Sequence, residues 1–260
     1  MNFLNKLERK IGKYAIPNLS LYLILGYILG YIVQIISPTI RDFLTLNPYL
    51  ILHGQIWRLV TWIIIPPSQL DLFTIIMLMF YYSAGTNLER TWGTFYYNVY
   101  LFMGMIFTII GSFLIMGISY IPALRSFMVN DLANSYAGLY LMLNEYREYF
   151  EQVASGFSTY FVNMSIFLGF AMTFPNVQVL LMFIIPIKVK WMGIAYGILL
   201  AVQFLQSNII GKIIIGASLL NFVVFFLMMR SGIAMRMSPR QVRRRHEYNR
   251  EVRRAKPASV

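Results

Sequence analysis

Long apolar runs separated by brief polar punctuation set the pattern of this chain. The first runs from Leu21 to Ile36, behind Ser20 as a candidate helix cap, and stops at Ser37-Pro38. Ahead of it, residues 2–13 alternate apolar and charged positions as an amphipathic helix lying on a membrane surface would, and Pro17 breaks that pattern. Residues 38–70 carry apolar runs cut by Pro48, Gly54, Arg58 and Pro66-Pro67. None reaches the roughly 20 residues needed to cross a bilayer, so this loop is expected in the outer interface. A second span is predicted from Leu70 to Thr86, then a tight turn over Asn87–Gly93 and a third span from Thr94 to Ile118. Residues 119–157 are polar, with an amphipathic helix expected over Asp131–Val153. A fourth span over 158–174 follows, then an apolar loop containing Pro186, Lys188 and Lys190. The fifth and sixth spans, 191–206 and 210–229, are parted by Gln206-Ser207-Asn208.

Composition agrees with the pattern. Of 260 residues, 58% are hydrophobic and 12% charged, where a soluble domain averages about a quarter charged. Cysteine is absent, which excludes disulfides, thiol catalysis and cysteine-bound zinc. The net charge of +12 gathers at the two ends: residues 230–260 carry ten Arg and Lys against two Glu, and residues 1–19 carry four against one. With six spans both ends share a side, and the positive-inside rule makes that side cytoplasmic. The expected organisation is a cytoplasmic lead-in (1–19, not a cleaved signal peptide), a membrane domain (20–229) and a basic tail (230–260). No internal repeat is visible, which counts against an inverted-repeat transporter.

Three blocks resemble rhomboid intramembrane proteases and their inactive derlin relatives. The first is Gly54-Gln55-Ile56-Trp57-Arg58, similar to a Trp-Arg element of the rhomboid first loop. The second, Gly85-Thr86-Asn87-Leu88-Glu89-Arg90-Thr91-Trp92-Gly93, is similar to a Gly-x-x-x-Glu-x-x-x-Gly motif ending the second span. Its glycines suit close approach of spans two and three, and Glu89 suits freed amides in the turn. The third is the fourth span itself, closing on Phe174-Pro175-Asn176. The fold this implies is an all-α, six-transmembrane-helix rhomboid-like bundle with an embedded first loop and cytoplasmic termini.

In that family the fourth span begins Gly-x-Ser-Gly, with the serine fifteen residues before the proline. Counting back from Pro175 reaches Tyr160, followed by Phe161. The oxyanion donors of the family's second span fall on Phe73 and Met77, and the catalytic base on Ile214 when Gly216-Ala217 is aligned. Asn221 then falls on a family glycine. Serine catalysis needs a base within bonding reach and donors for the oxyanion, which none of these side chains supplies. The resemblance thus implies an inactive rhomboid, a pseudoprotease that binds or remodels transmembrane segments of client membrane proteins, in membrane protein quality control. Asn163, Ser165, Thr173, Gln203 and Asn221 are candidate hydrogen-bond partners for such clients. They would equally knit the protein's own helices, at about 0.6 kcal/mol each. The fifth span, about 16 residues or about 24 Å, predicts local thinning of a core about 30 Å thick.

The alternative is a rhomboid-family serine protease with non-standard residues, pairing Ser158 or Ser165 with Lys212, or using His53 of the first loop. Ser158 also suits a helix cap, and Lys212 a snorkelling position. Neither a metal nor a cofactor is expected. Expected partners are membrane lipid, client helices and a cytoplasmic protein docking on the basic tail helix 238–256, but not nucleic acid. The expected location is a bacterial plasma membrane.

Overall fold

The computed structural model describes residues 3–122, 124–125, 146–154, 156–181 and 185–228. The rest of the predicted Asp131–Val153 helix and the whole tail lie outside them. Helix α1 (Phe3–Ile11) is the expected amphipathic helix. Its Leu4 is buried, and Glu8 accepts a hydrogen bond from the Tyr96 hydroxyl, so α1 is docked on the membrane body.

Helix α2 (Leu19–Ile36) starts two residues past Pro17, with Asn18 at its N-cap in the left-handed conformation, φ 56°. Ser20 is therefore inside the helix rather than its cap, and its hydroxyl meets that of Tyr97. The first loop folds into three short helices, α3 (Pro38–Leu44), α4 (Pro48–Leu52) and α5 (Arg58–Thr61), and a 3₁₀ turn over Trp62–Ile64. Proline opens α3 and α4, where the first amides have no helical partner to lose. The Asn47 side chain caps α4 by accepting from the Leu50 amide.

Helix α6 (Leu72–Trp92) runs straight through the segment predicted as a turn. The chain reverses at Gly93 alone, with φ 94°, and α7 (Thr94–Tyr120) leads back. Short α8 (Tyr146–Ala154) stacks Phe150 on Tyr49 of α4, ring centroids 6.4 Å apart. Helix α9 (Tyr160–Thr173) is the central element, buried over Val162–Asn163 and Ser165–Ala171. It has only 14 residues, about 21 Å, so it and not the fifth span is the short element. The apolar loop after Pro175 pairs into an antiparallel hairpin, β1 (Gln178–Leu181) with β2 (Ile185–Lys188), Gln178 opposite Lys188. Helices α10 (Val189–Gln206, 18 residues) and α11 (Ile209–Met228) close the described chain.

Among the described residues four helices are long and apolar enough to cross a membrane: Leu19–Ile36, Thr94–Tyr120, Val189–Gln206 and Ile209–Leu227. Helices α6 and α9, both predicted to span, are not among them; α9 is too short. The core is aromatic. Trp92 sits 5.4 Å from Tyr100 and 5.0 Å from Phe225, centroid to centroid, joining α6, α7 and α11. Small residues let α7 and α11 meet closely, a Cβ on Gly111 falling 3.0 Å from that of Ala217.

Candidate functional site

The head of α9 gathers polar groups that a membrane interior must satisfy internally. Thr159 donates to the Ile65 carbonyl at 2.7 Å, fastening α9 to the end of the first loop. The Ser158 hydroxyl accepts from the Tyr160 amide at 3.3 Å, but Ser158 stands one residue outside the N-cap, which is Thr159. One turn in, Tyr27 of α2 donates to Asn163 Oδ1 at 3.2 Å. Tyr100 of α7 donates to the Ser165 carbonyl at 2.6 Å, and the Ser165 hydroxyl to the Val162 carbonyl at 2.7 Å.

Tyr160 is half-buried at the first position of α9. Its hydroxyl accepts from Tyr196 of α10 at 3.3 Å, and its ring meets Phe161 edge-on at 5.2 Å. The Tyr196 ring in turn meets Phe167 edge-on at 5.9 Å. The hydroxyl pair therefore ties α9 to α10, the fifth predicted span. Lower down, α10 crosses α9 so closely that a Cβ on Gly193 would stand 2.7 Å from that of Ala171. Ile214 is buried, its Cδ1 2.9 Å from where a Cβ on Gly156 would stand, just before the α9 head. Phe73 and Met77 behave differently: they are 58% and 42% exposed on the outside of α6. A recess of about 10 Å³ lies between α9, α10 and α11 beside Ser165, room for about one water, with mostly apolar walls.

The residues of the serine alternative make other contacts. Both serine hydroxyls bond to backbone. His53 is exposed in the first loop with Nδ1 2.8 Å from the Tyr49 carbonyl, and Lys212 is half-buried in the first turn of α11. Among the described residues no hydrogen bond joins a serine hydroxyl to a histidine or lysine nitrogen, and no cluster of three or more metal-ligating side chains occurs.

The motif residues hold the frame. Arg58 is 3% exposed; its Nη1 donates to the Asp42 carbonyl at 2.6 Å and the Thr45 carbonyl at 3.0 Å, and its Nε to Gln55 at 2.7 Å. Neighbouring Trp57 donates to the Phe43 carbonyl at 3.3 Å. Glu89 serves a different amide from those expected. It accepts from Asn18 at 3.0 Å, satisfying the start of α2 and not the α6–α7 reversal. A side chain on Gly85 would collide with Ser20 and Tyr97, so Gly85 admits α2 as well as α7. Gly93 faces open space and is required by its φ alone. The Pro175 carbonyl accepts from the Lys190 amide at 3.2 Å, closing the base of the hairpin.

Of the polar positions proposed for clients, Asn163, Ser165 and Asn221 are buried, Thr173 donates to the Gly169 carbonyl at 2.8 Å, and Gln203 is exposed on α10. The Asn163 Nδ2 has no partner, and neither do both amide atoms of Asn221, which abuts Gly104 of α7. Sequence pattern missed Tyr27, Tyr100 and Tyr196, each lost inside an apolar run. Tyrosine recurring at membrane depth was the available signal.

A family model described as a eukaryotic integral membrane protein (DUF1751) matches residues 18–229, from the start of α2 to the end of the described α11. No curated protein and no solved structure matches the chain. The expectation of a bacterial plasma membrane is thereby overturned, because the family is described as eukaryotic. The sequence pattern speaks for membrane residence but carries no mark of the host cell. With the match covering the whole helical body, the chain belongs to this family of eukaryotic integral membrane proteins.

Proposed function

We propose that this is a rhomboid-like membrane protein without protease chemistry, which binds transmembrane segments of other membrane proteins and assists their quality control. The observation that carries the reading is the head of α9. Where the resemblance expects a free nucleophile, Tyr160 shares a hydrogen bond with Tyr196, and an aliphatic side chain, Ile214, fills the place of the base. A tyrosine so placed has no general base to activate it, and the residues at the oxyanion positions have no donor to offer. The same reading takes α2, α6, α7, α9, α10 and α11 as six spans, with both termini and the basic 238–256 segment, a docking site for a cytoplasmic partner, on the cytoplasmic side.

Client binding is supported by the exposed apolar flanks of α6 and α10, Phe73 and Met77 on one and Ile194 and Ile198 on the other. Gln203 is exposed on α10, within reach of a passing helix. Asn163, Ser165 and Asn221 become available only if the helices part. The short α9 favours a locally thin bilayer, where a client with a short or polar segment is less penalised. The test is a serine-directed fluorophosphonate applied to the purified protein. No adduct is expected; an adduct lost in Ser158→Ala or Ser165→Ala would establish the serine-protease alternative instead.

A further inference from the structure

We propose that the end of the molecule carrying the α6–α7 reversal is a binding surface for anionic phospholipid headgroups. Among the described residues six basic side chains are exposed there: Arg9, Lys10 and Lys13 on and just after α1, Arg90 in the last turn of α6, and Lys188 and Lys190 at the start of α10. Their common placement follows from contacts between the elements that carry them. Tyr96 binds Glu8, so α1 lies at the start of α7. A Cβ on Gly169 would stand 3.1 Å from Trp92, so the last turns of α9 lie beside the end of α6. Gly193 abuts Ala171, which brings the start of α10 to the same level.

The acids at this end are turned inward. Glu8 accepts from Tyr96 at 3.1 Å, and Glu89, 8% exposed, accepts from the Asn18 amide. Among the described residues no fully exposed carboxylate therefore stands between these cations. Two exposed aromatics accompany them, Tyr14 and Trp191, with Lys13 Nζ 4.8 Å and Lys190 Nζ 5.4 Å from their ring centroids. Such amphipathic rings sit at headgroup depth in membrane proteins. At the opposite end Asp42, Asp71 and Glu151 are exposed, Arg147 is paired with Glu151 at 3.2 Å, Arg41 and Arg125 are half-buried and Arg58 is buried. Cations circling an apolar body at the aromatic level meet lipid headgroups before any soluble polyanion, and each adds attraction to an anionic leaflet that salt screens. This inference rests on membrane residence alone and not on the client-binding reading.

The chain contains no cysteine, so one label can be placed at will. A fluorophore on Thr91→Cys, an exposed site beside Arg90, reports this end; the same fluorophore on Leu70→Cys reports the other. Each full-length protein is reconstituted in phosphatidylcholine vesicles with equal small fractions of nitroxide-headgroup phosphatidylserine or phosphatidylcholine. At Thr91 the phosphatidylserine probe is expected to quench several-fold more strongly than the phosphatidylcholine probe. The preference should collapse at about 1 M salt, where the Debye length is about 3 Å, and in Arg90→Gln/Lys188→Gln/Lys190→Gln. No preference is expected at Leu70. Equal quenching by both lipids at Thr91, an equal preference at both ends, or a preference indifferent to salt would overturn the proposal. If the triple variant does not fold, the salt series and the two-end comparison decide it.

Discussion

Gly85 has no room for a side chain, because the Ser20 and Tyr97 hydroxyls meet where its Cβ would stand. Gly85→Ala must push apart three helices at once. Overpacking of this kind costs about 1–3 kcal/mol, and a lowered thermal midpoint in detergent would register it. Asn221 makes the opposite case. It is fully buried, both amide atoms lack a partner, and its amide lies against Gly104 of α7. A buried polar group left unpaired costs about 1–3 kcal/mol, so Asn221→Leu, which keeps the same branched heavy-atom skeleton, is expected to raise the thermal midpoint. A fall would mean that the amide finds a partner in solution. Arg58 shows why a charge is tolerated in the first loop: its fork holds two carbonyls and Gln55 at once. Lysine cannot reproduce that fork, so Arg58→Lys should loosen the loop, seen as faster proteolysis between α3 and α5.

Among the helices, α6 is the one whose ends are most plainly specified. Asp71 caps it, accepting from the Thr74 amide at 2.6 Å, and the Thr74 hydroxyl and amide together hold the Asp71 carboxyl below its ordinary range. A carboxylate with a depressed pKa stabilises the fold above its unfolded-state pKa and loses that contribution as pH falls through the folded value. Amide exchange in the first turn of α6 should therefore quicken only in acid, below about pH 4, and Asp71→Ala should remove that dependence. At the other end Gly93 holds φ 94° and ψ 151°, a region essentially closed to other residues, so Gly93→Ala should cost about 1–3 kcal/mol although nothing blocks its Cβ.

Apolar runs made the helix bodies legible, and the prolines at 38, 48 and 175 placed their breaks. What escaped depended on contacts distant along the chain. Ser20 looks like a cap until Tyr97 is beside it, and Glu89 looks like a turn residue until Asn18 brings an unpaired amide to it. The hairpin was hidden because its strands are as apolar as a span, with Pro186 inside one of them. At the α9 head, Tyr160 and Ile214 follow from the resemblance, whereas the pairing of Tyr196 with Tyr160 is visible only in the fold.

For the molecule as a whole, an aromatic and small-residue core fixes a body whose two ends differ in charge, within a family of eukaryotic integral membrane proteins. The body presents apolar flanks beside a short central helix and holds the Ser158 and Ser165 hydroxyls on a backbone amide and a backbone carbonyl. On our account it holds a client helix and leaves it uncut. The most direct test places a photocrosslinking side chain at Phe73 or Met77 in the reconstituted protein, offered a single-span membrane protein with a short, polar-containing segment. The account predicts an adduct with the intact client, formed through its membrane segment. Recovery of client fragments, or adducts with lipid alone, would contradict it.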